Sequence, residues 1–175
     1  MMIDSAMTRL VQRKVCLLGD FAVGKTSLVR RFVEGRFDDR YFSTIGVKIS
    51  RKMMVYDQRP YNLLIWDLAD GETYRTGDAY LRGAAGALVV CDLTRRQSLP
   101  SLIDYMTHLR QVNPGVVAVM VANKTDLATQ QVIELAELQT LSGELAAPCV
   151  MTSAKTGAGV EYAFITLVQL IEAKA

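Results

Sequence analysis

Residues 14 to 28 read Lys-Val-Cys-Leu-Leu-Gly-Asp-Phe-Ala-Val-Gly-Lys-Thr-Ser-Leu, and no other stretch of the chain constrains its fold as tightly. A short apolar run, Val15 to Leu18, leads into Gly19. Gly24-Lys25-Thr26 then follows at the spacing of a phosphate-binding loop between a strand and a helix. Glycines at 19 and 24 let the backbone curl so that successive N–H groups converge, and the helix that follows presents its positive end to the same point. A polyphosphate suits such a cradle. Lys25 would reach its outer phosphates and the Thr26 hydroxyl would ligate a magnesium ion bridging them.

Downstream of Arg13 the chain alternates apolar strands with amphipathic helices. Val15 to Leu18, Ala87 to Cys91, Val116 to Ala122 and Pro148 to Met151 each precede a helical pattern. The helical stripes are Leu28, Val29, Phe32 and Val33, then Leu99, Leu102, Ile103, Met106 and Leu109 behind a Ser98 cap signal, and finally Val160, Phe164, Leu167, Val168 and Ile171. Continuous apolar strands of this kind predict a parallel sheet covered on both faces. One unit breaks the rule: Val47, Ile49, Met53 and Val55 at period two, a turn at Asp57 to Pro60, and then Leu63 to Trp66. Two strands joined so closely must be antiparallel. The expectation is an α/β domain over residues 13–175, with a six-stranded, mixed, mostly parallel sheet, preceded by a flexible lead-in over residues 1–12.

The totals set limits on function. The chain has 175 residues and is 50% hydrophobic, enough for one full core. Its apolar runs stop short of the roughly 18 to 20 residues a membrane span needs, and no secretion-signal pattern opens it, so a cytoplasmic protein is expected. Cys16, Cys91 and Cys149 each sit inside an apolar stretch, which makes them small buried hydrophobes. The single His108 falls on the polar side of its helix and leaves no metal cluster or histidine-based nucleophile. Residues 13 to 60 hold eleven Lys or Arg against five Asp or Glu, yet no basic run exceeds two residues, so nucleic acid is not an expected partner.

In open parallel sheets a ligand binds beyond the carboxyl ends of the strands. Read together, those ends carry Gly19 to Thr26, Asp67, Asn123-Lys124-Thr125-Asp126 and Ser153-Ala154-Lys155. With Tyr41 to Val47, Ile65-Trp66-Asp67, Tyr80 to Ala84 and Asp92-Leu93-Thr94, these segments resemble the Ras-like small GTPases, closest to the Rab branch, from about Arg13 to Ala173. The resemblance implies a P-loop fold of the Ras-like type that binds GTP and GDP with Mg2+ and acts as a switch. It places Gly19, Phe21, Ala22, Val23, Gly24, Lys25, Thr26 and Ser27 around the phosphates, with Lys25 and Thr44 among the catalytic groups. Thr26, Thr44 and, through water, Asp67 would hold the metal. Asp126 would accept the two guanine donors that adenine lacks, with Asn123 bracing the loop, Lys124 over the base, the Ala154 N–H on its carbonyl, and Ser153 and Lys155 alongside. Phe37 would lie edge-on to the base.

The resemblance further implies that residues 36–47 and 67–80 order with GTP and meet protein effectors, exchange factors or activating proteins. A monomer is expected, with no lipid anchor in this chain: no cysteine follows Cys149 and Met2 does not suit myristoylation, which leaves either an unlipidated form or a lipidated tail outside this sequence. The chain departs from the family in one place above all. Where relatives read Asp-Thr-Ala-Gly-Gln-Glu, it reads Asp67-Leu68-Ala69-Asp70-Gly71-Glu72. At these two candidate catalytic positions Gly71 lacks the side chain that positions attacking water, and Asp70 brings a carboxylate toward an anionic phosphate, unless it substitutes as the water-orienting group or the glycine is shifted by one residue. Phe21 is bulky where relatives are small. Slow hydrolysis follows as the expectation. Two other readings remain open: a nucleotide-locked pseudo-GTPase that serves as a binding module, and an ATP-using phosphotransferase on the same loop, against which Asp126 and Ser153 to Lys155 argue.

Overall fold

The computed structural model describes residues 9–40, 44–69 and 77–175. In chain order the elements are β1 (Val11–Gly19), α1 (Lys25–Glu34), β2 (Val47–Tyr56), β3 (Arg59–Leu68), the short α2 (Asp78–Leu81) and β4 (Gly86–Asp92). They continue through α3 (Ser98–Val112), β5 (Val117–Asn123), a single 3-10 turn (Ala128–Gln130), α4 (Leu135–Leu145), β6 (Cys149–Met151) and α5 (Val160–Lys174). The strands form one six-stranded sheet in the order β2-β3-β1-β4-β5-β6. Only β2 runs antiparallel to its neighbour, as the tight turn after Tyr56 requires.

Side chains alternate across a strand, so an apolar strand must feed two cores. Val15 and Leu17 of β1, Leu88 and Val90 of β4, and Val119 and Val121 of β5 pack on one face with Leu28, Phe32, Phe164 and Leu167 from α1 and α5. Cys16, Leu18, Val89, Cys91, Met120 and Ala122 pack on the other with Leu81, Leu102, Met106 and Leu138 from α2, α3 and α4. Burial pushes the Cys16 and Cys91 thiols up to about 12, and Cys149 to about 11, which keeps all three protonated and unreactive near neutral pH.

The structure departs from the sequence expectation in several places. Val11 and Gln12 are not lead-in: they belong to β1 and pair with Tyr61 and Asn62 of β3, a polar-flanked start that carries no apolar period. The apolar row Ile49, Met53 and Val55 faces solvent, because β2 is the sheet's edge and no helix among the described residues covers that side of it. Ile103, expected on the apolar stripe of α3, is 40% exposed. His108 is half-buried, and its Nε2 lies 2.8 Å from Asp78 Oδ1 at the start of α2.

Ser98 is the first residue of α3 and not its cap. Its buried hydroxyl turns to the sheet, where it accepts the Asp92 N–H at 2.9 Å and shares its proton between the carbonyls of Arg95, at 2.7 Å, and Asp92, at 3.0 Å. Ser98 thereby fixes the loop that leaves β4. Removing the hydroxyl strands a buried N–H, so Ser98→Ala is expected to cost about 1 to 3 kcal/mol of folding stability, measured by urea unfolding.

Candidate functional site

β1, β3, β4, β5 and β6 are mutually parallel, so their carboxyl ends share one edge of the sheet. The loop after β1 is shaped by close approach. Gly24 has φ +105°, and a Cβ there would fall 2.3 Å from Asn123 Nδ2. At Gly19, with φ +147°, a Cβ would fall 2.4 Å from the Val90 carbonyl. Any larger residue at either position displaces backbone or a buried amide. Lys25, 7% exposed, curls its ammonium back over the loop, donating to the carbonyls of Gly19 at 2.6 Å and Asp20 at 2.9 Å.

At the other end of the site, Asn123 closes β5 with both polar atoms of its side chain hydrogen-bonded. Its Nδ2 donates to the Val23 carbonyl at 3.0 Å, while Oδ1 accepts the Thr152 hydroxyl at 3.0 Å and the Ala154 N–H at 3.2 Å. Lys124 adopts a left-handed φ of 75°, which sends its ammonium back to the Ala22 carbonyl at 2.9 Å. Asp126 is exposed, and its Oδ1 accepts the Ser153 hydroxyl at 2.7 Å. From α1, Arg31 donates through Nε to the Ala154 carbonyl at 2.9 Å and through Nη2 to that of Lys155.

Between these ends lies a corner built of oxygen. Thr26 Oγ1 donates to Asp67 Oδ2 at 2.5 Å, and Thr44 Oγ1 lies 2.6 Å from Thr26 Oγ1. Asp67 is 1% exposed, and its Oδ1 is buried with no hydrogen-bond partner. Burial pushes the Asp67 carboxyl above its usual value, and the Thr26 hydroxyl offsets this only in part. Two hydroxyls and a carboxylate with an orphaned oxygen fit a hard divalent cation such as Mg2+, which prefers oxygen ligands and keeps waters and phosphate oxygens in its remaining positions.

One cavity of about 350 Å³ joins the three regions. Of the expected residues, Phe21, Ala22, Gly24, Lys25, Thr26, Ser27, Phe37, Thr44, Asn123, Lys124, Asp126, Ala154 and Lys155 line it. Gly19, Val23, Asp67 and Ser153 are not on its wall: Val23 is core, and the others act from behind. Asp70 and Gly71 lie outside the described residues, as do Tyr41, Phe42 and Ser43. The sequence reading missed Arg30, Asp38, Asp39 and Arg40, which also line the cavity, and Arg31, which holds the loop after β6. Arg31 had no visible signal, since it falls off the apolar stripe of α1 and reads as a solvated charge.

The sequence profile of the Ras family matches residues 14–173, which spans every element of the site. The chain belongs to the Ras family of small GTPases. Ras-related protein RABD1 of Arabidopsis thaliana is 35% identical to it over 163 residues, covering 92% of this chain and 80% of the relative. A GTP-binding switch that hydrolyses GTP is therefore the frame in which the site of this GTPase is to be understood. Among its described residues no helix is long and apolar enough to cross a membrane.

Asp67 makes a prediction with a definite sign. A carboxyl whose folded pKa is raised loses stability as pH climbs through that pKa, so at neutral pH the metal-free protein bears a cost at this position. Asp67→Asn is expected to leave the thermal midpoint of the nucleotide-free GTPase near pH 7 equal to or above the parent's, and to speed loss of bound nucleotide. A fall in both stability and retention would show that the carboxylate is a structural group.

Proposed function

We propose that this GTPase binds GTP and GDP with Mg2+, works as a protein-recruiting switch, and turns GTP over slowly. The observation that supports the reading is that Lys25, Thr26 and Asp126 line one and the same cavity. Guanine offers Asp126 an N1–H and an exocyclic amine side by side, and adenine offers no such pair. Ser153 holds that carboxylate in position, and Asn123 keeps the phosphate end and the base end in fixed register. Phe37, half-buried against the core, presents a ring to the same cavity.

Within this reading Lys25 exchanges its contacts with the Gly19 and Asp20 carbonyls for phosphate oxygens, or shares between them. The N-terminus of α1 adds N–H donors. A bound Mg2+ would supply charge neutralisation on the outer phosphates, held by Thr26 and Thr44 with Asp67 behind them. Thr44 stands in residues 36–47 and Asp67 at the start of 67–80, so both segments respond to the γ-phosphate and serve as the surface for effectors and for exchange or activating proteins.

Slow turnover rests on three residues. Gly71 has no group to orient water, Asp70 brings negative charge, and the Phe21 ring lines the cavity, 49% exposed, where an approaching catalytic cation would need room. Phe21 also supports the second reading, a nucleotide-locked module that presents one fixed surface. Identifying the nucleotide in freshly purified protein and following single-turnover hydrolysis separates the two. A rate well below that of an intact Rab measured alongside is expected, no turnover at all favours the module, and an equal rate refutes both.

The base assignment has its own test. Asp126→Asn is expected to weaken guanine nucleotides by roughly 100-fold or more, since two bonds to a charged acceptor are lost or inverted, and to admit xanthine nucleotides. Unchanged GTP preference in that variant, measured by competition with labelled GDP, refutes the assignment.

A further inference from the structure

The peptide carbonyls of the phosphate loop each face a side-chain donor. Lys25 serves Gly19 and Asp20, Lys124 serves Ala22, and Asn123 serves Val23. The carbonyl between them, at Phe21, is served by Arg95, whose Nη2 donates to it across 2.6 Å. Arg95 lies in the loop after β4, belongs to none of the phosphate- or base-binding motifs, and is absent from the cavity wall.

Behind Arg95 stands Asp92, the last residue of β4 and 1% exposed. Its Oδ2 lies 2.7 Å from Lys124 Nζ and 3.9 Å from Arg95 Nε. Its Oδ1 accepts the Thr94 N–H at 2.8 Å and the Thr94 hydroxyl at 2.7 Å. Burial pushes this carboxyl up, but the Lys124 ammonium and the Thr94 donors together outweigh it and hold it below the usual carboxylate range. One buried anion thus orients two cations, and these cations hold consecutive carbonyls of the loop.

The consequence follows from peptide geometry. In a planar trans peptide the carbonyl of one residue and the N–H of the next point in opposite directions. A Phe21 carbonyl drawn away from the cavity therefore turns the Ala22 N–H toward it. Ala22 lines the cavity at φ +60°, a region that L residues other than Asn and Asp rarely keep unless their surroundings hold them there.

We propose that Arg95, braced by Asp92, is a positioning residue of this GTPase: it fixes the Phe21–Ala22 peptide so that the Ala22 N–H meets the outer phosphates of the nucleotide. Arg95 touches no phosphate itself. It lowers the entropy that the loop loses on binding and keeps the donor aimed while charge shifts during hydrolysis. The inference rests on the reading that the cavity takes GTP and GDP.

The test compares the parent with Arg95→Met, which keeps the stem and removes the donors, and with Arg95→Lys, which keeps one cation. Release of fluorescently labelled GDP is expected to speed up about tenfold or more in Arg95→Met, the scale of losing a charge-assisted hydrogen bond, while affinity for GMP stays within about twofold. Arg95→Lys should recover part of the loss. In amide spectra the Ala22 N–H should move on GDP addition in the parent and move less in Arg95→Met. GDP release within twofold of the parent, or GDP and GMP weakened by the same factor, would overturn the proposal, the latter by showing general loosening of the site. A parent that binds no GDP would instead overturn the underlying reading of the cavity.

Discussion

The Asn123 side chain is the interaction on which the rest of the site depends. It is 1% exposed and joins the loop after β1 to the loop after β6 through Val23, Thr152 and Ala154. An amide suits this task because it offers donors on one side and an acceptor on the other, so one side chain can brace two loops with no buried charge. Its neighbour Gly24 has no side chain because the amide already occupies the space where a Cβ would go. The loop's glycine and the distant asparagine are thus two halves of one contact, made possible by the parallel register that aligns the ends of β1, β4 and β5.

Much of this was legible in the sequence, for physical reasons. Apolar strands alternating with striped helices have few ways to bury both faces of a sheet, so the layered α/β architecture followed from periodicity. The residues that line the cavity come largely from short runs, and short runs survive translation into one dimension. What stayed hidden shares a different property. Arg31, Ser98 and Arg95 act on backbone carbonyls and N–H groups, which every residue possesses, so nothing in the partner's identity marks the pair. The start of β1 was missed because Val11 and Gln12 join the sheet through ladder hydrogen bonds with β3 and not through an apolar pattern.

The oxygen corner shows how stability and function pull apart. A buried carboxylate with an unpartnered oxygen raises the energy of the metal-free fold. The Thr26 hydroxyl, itself paired with that of Thr44, answers only one of its two oxygens. The two apolar clusters beneath it, one on each face of the sheet, offset such a cost.

The exposed edge strand β2 has a consequence of a different kind. Ile49, Met53 and Val55 stand in a solvent-facing row beside a backbone edge that no strand among the described residues pairs with, a geometry that invites strand-to-strand association between molecules. Lys48, Arg51 and Lys52 lie on the same strand, so two such edges repel one another. That protection is electrostatic and has a range of about 10 Å at 0.1 M salt but only about 3 Å at 1 M. Concentrated stocks of this protein are therefore best handled at low ionic strength, where the cations of β2 keep its sticky edge apart from its copies.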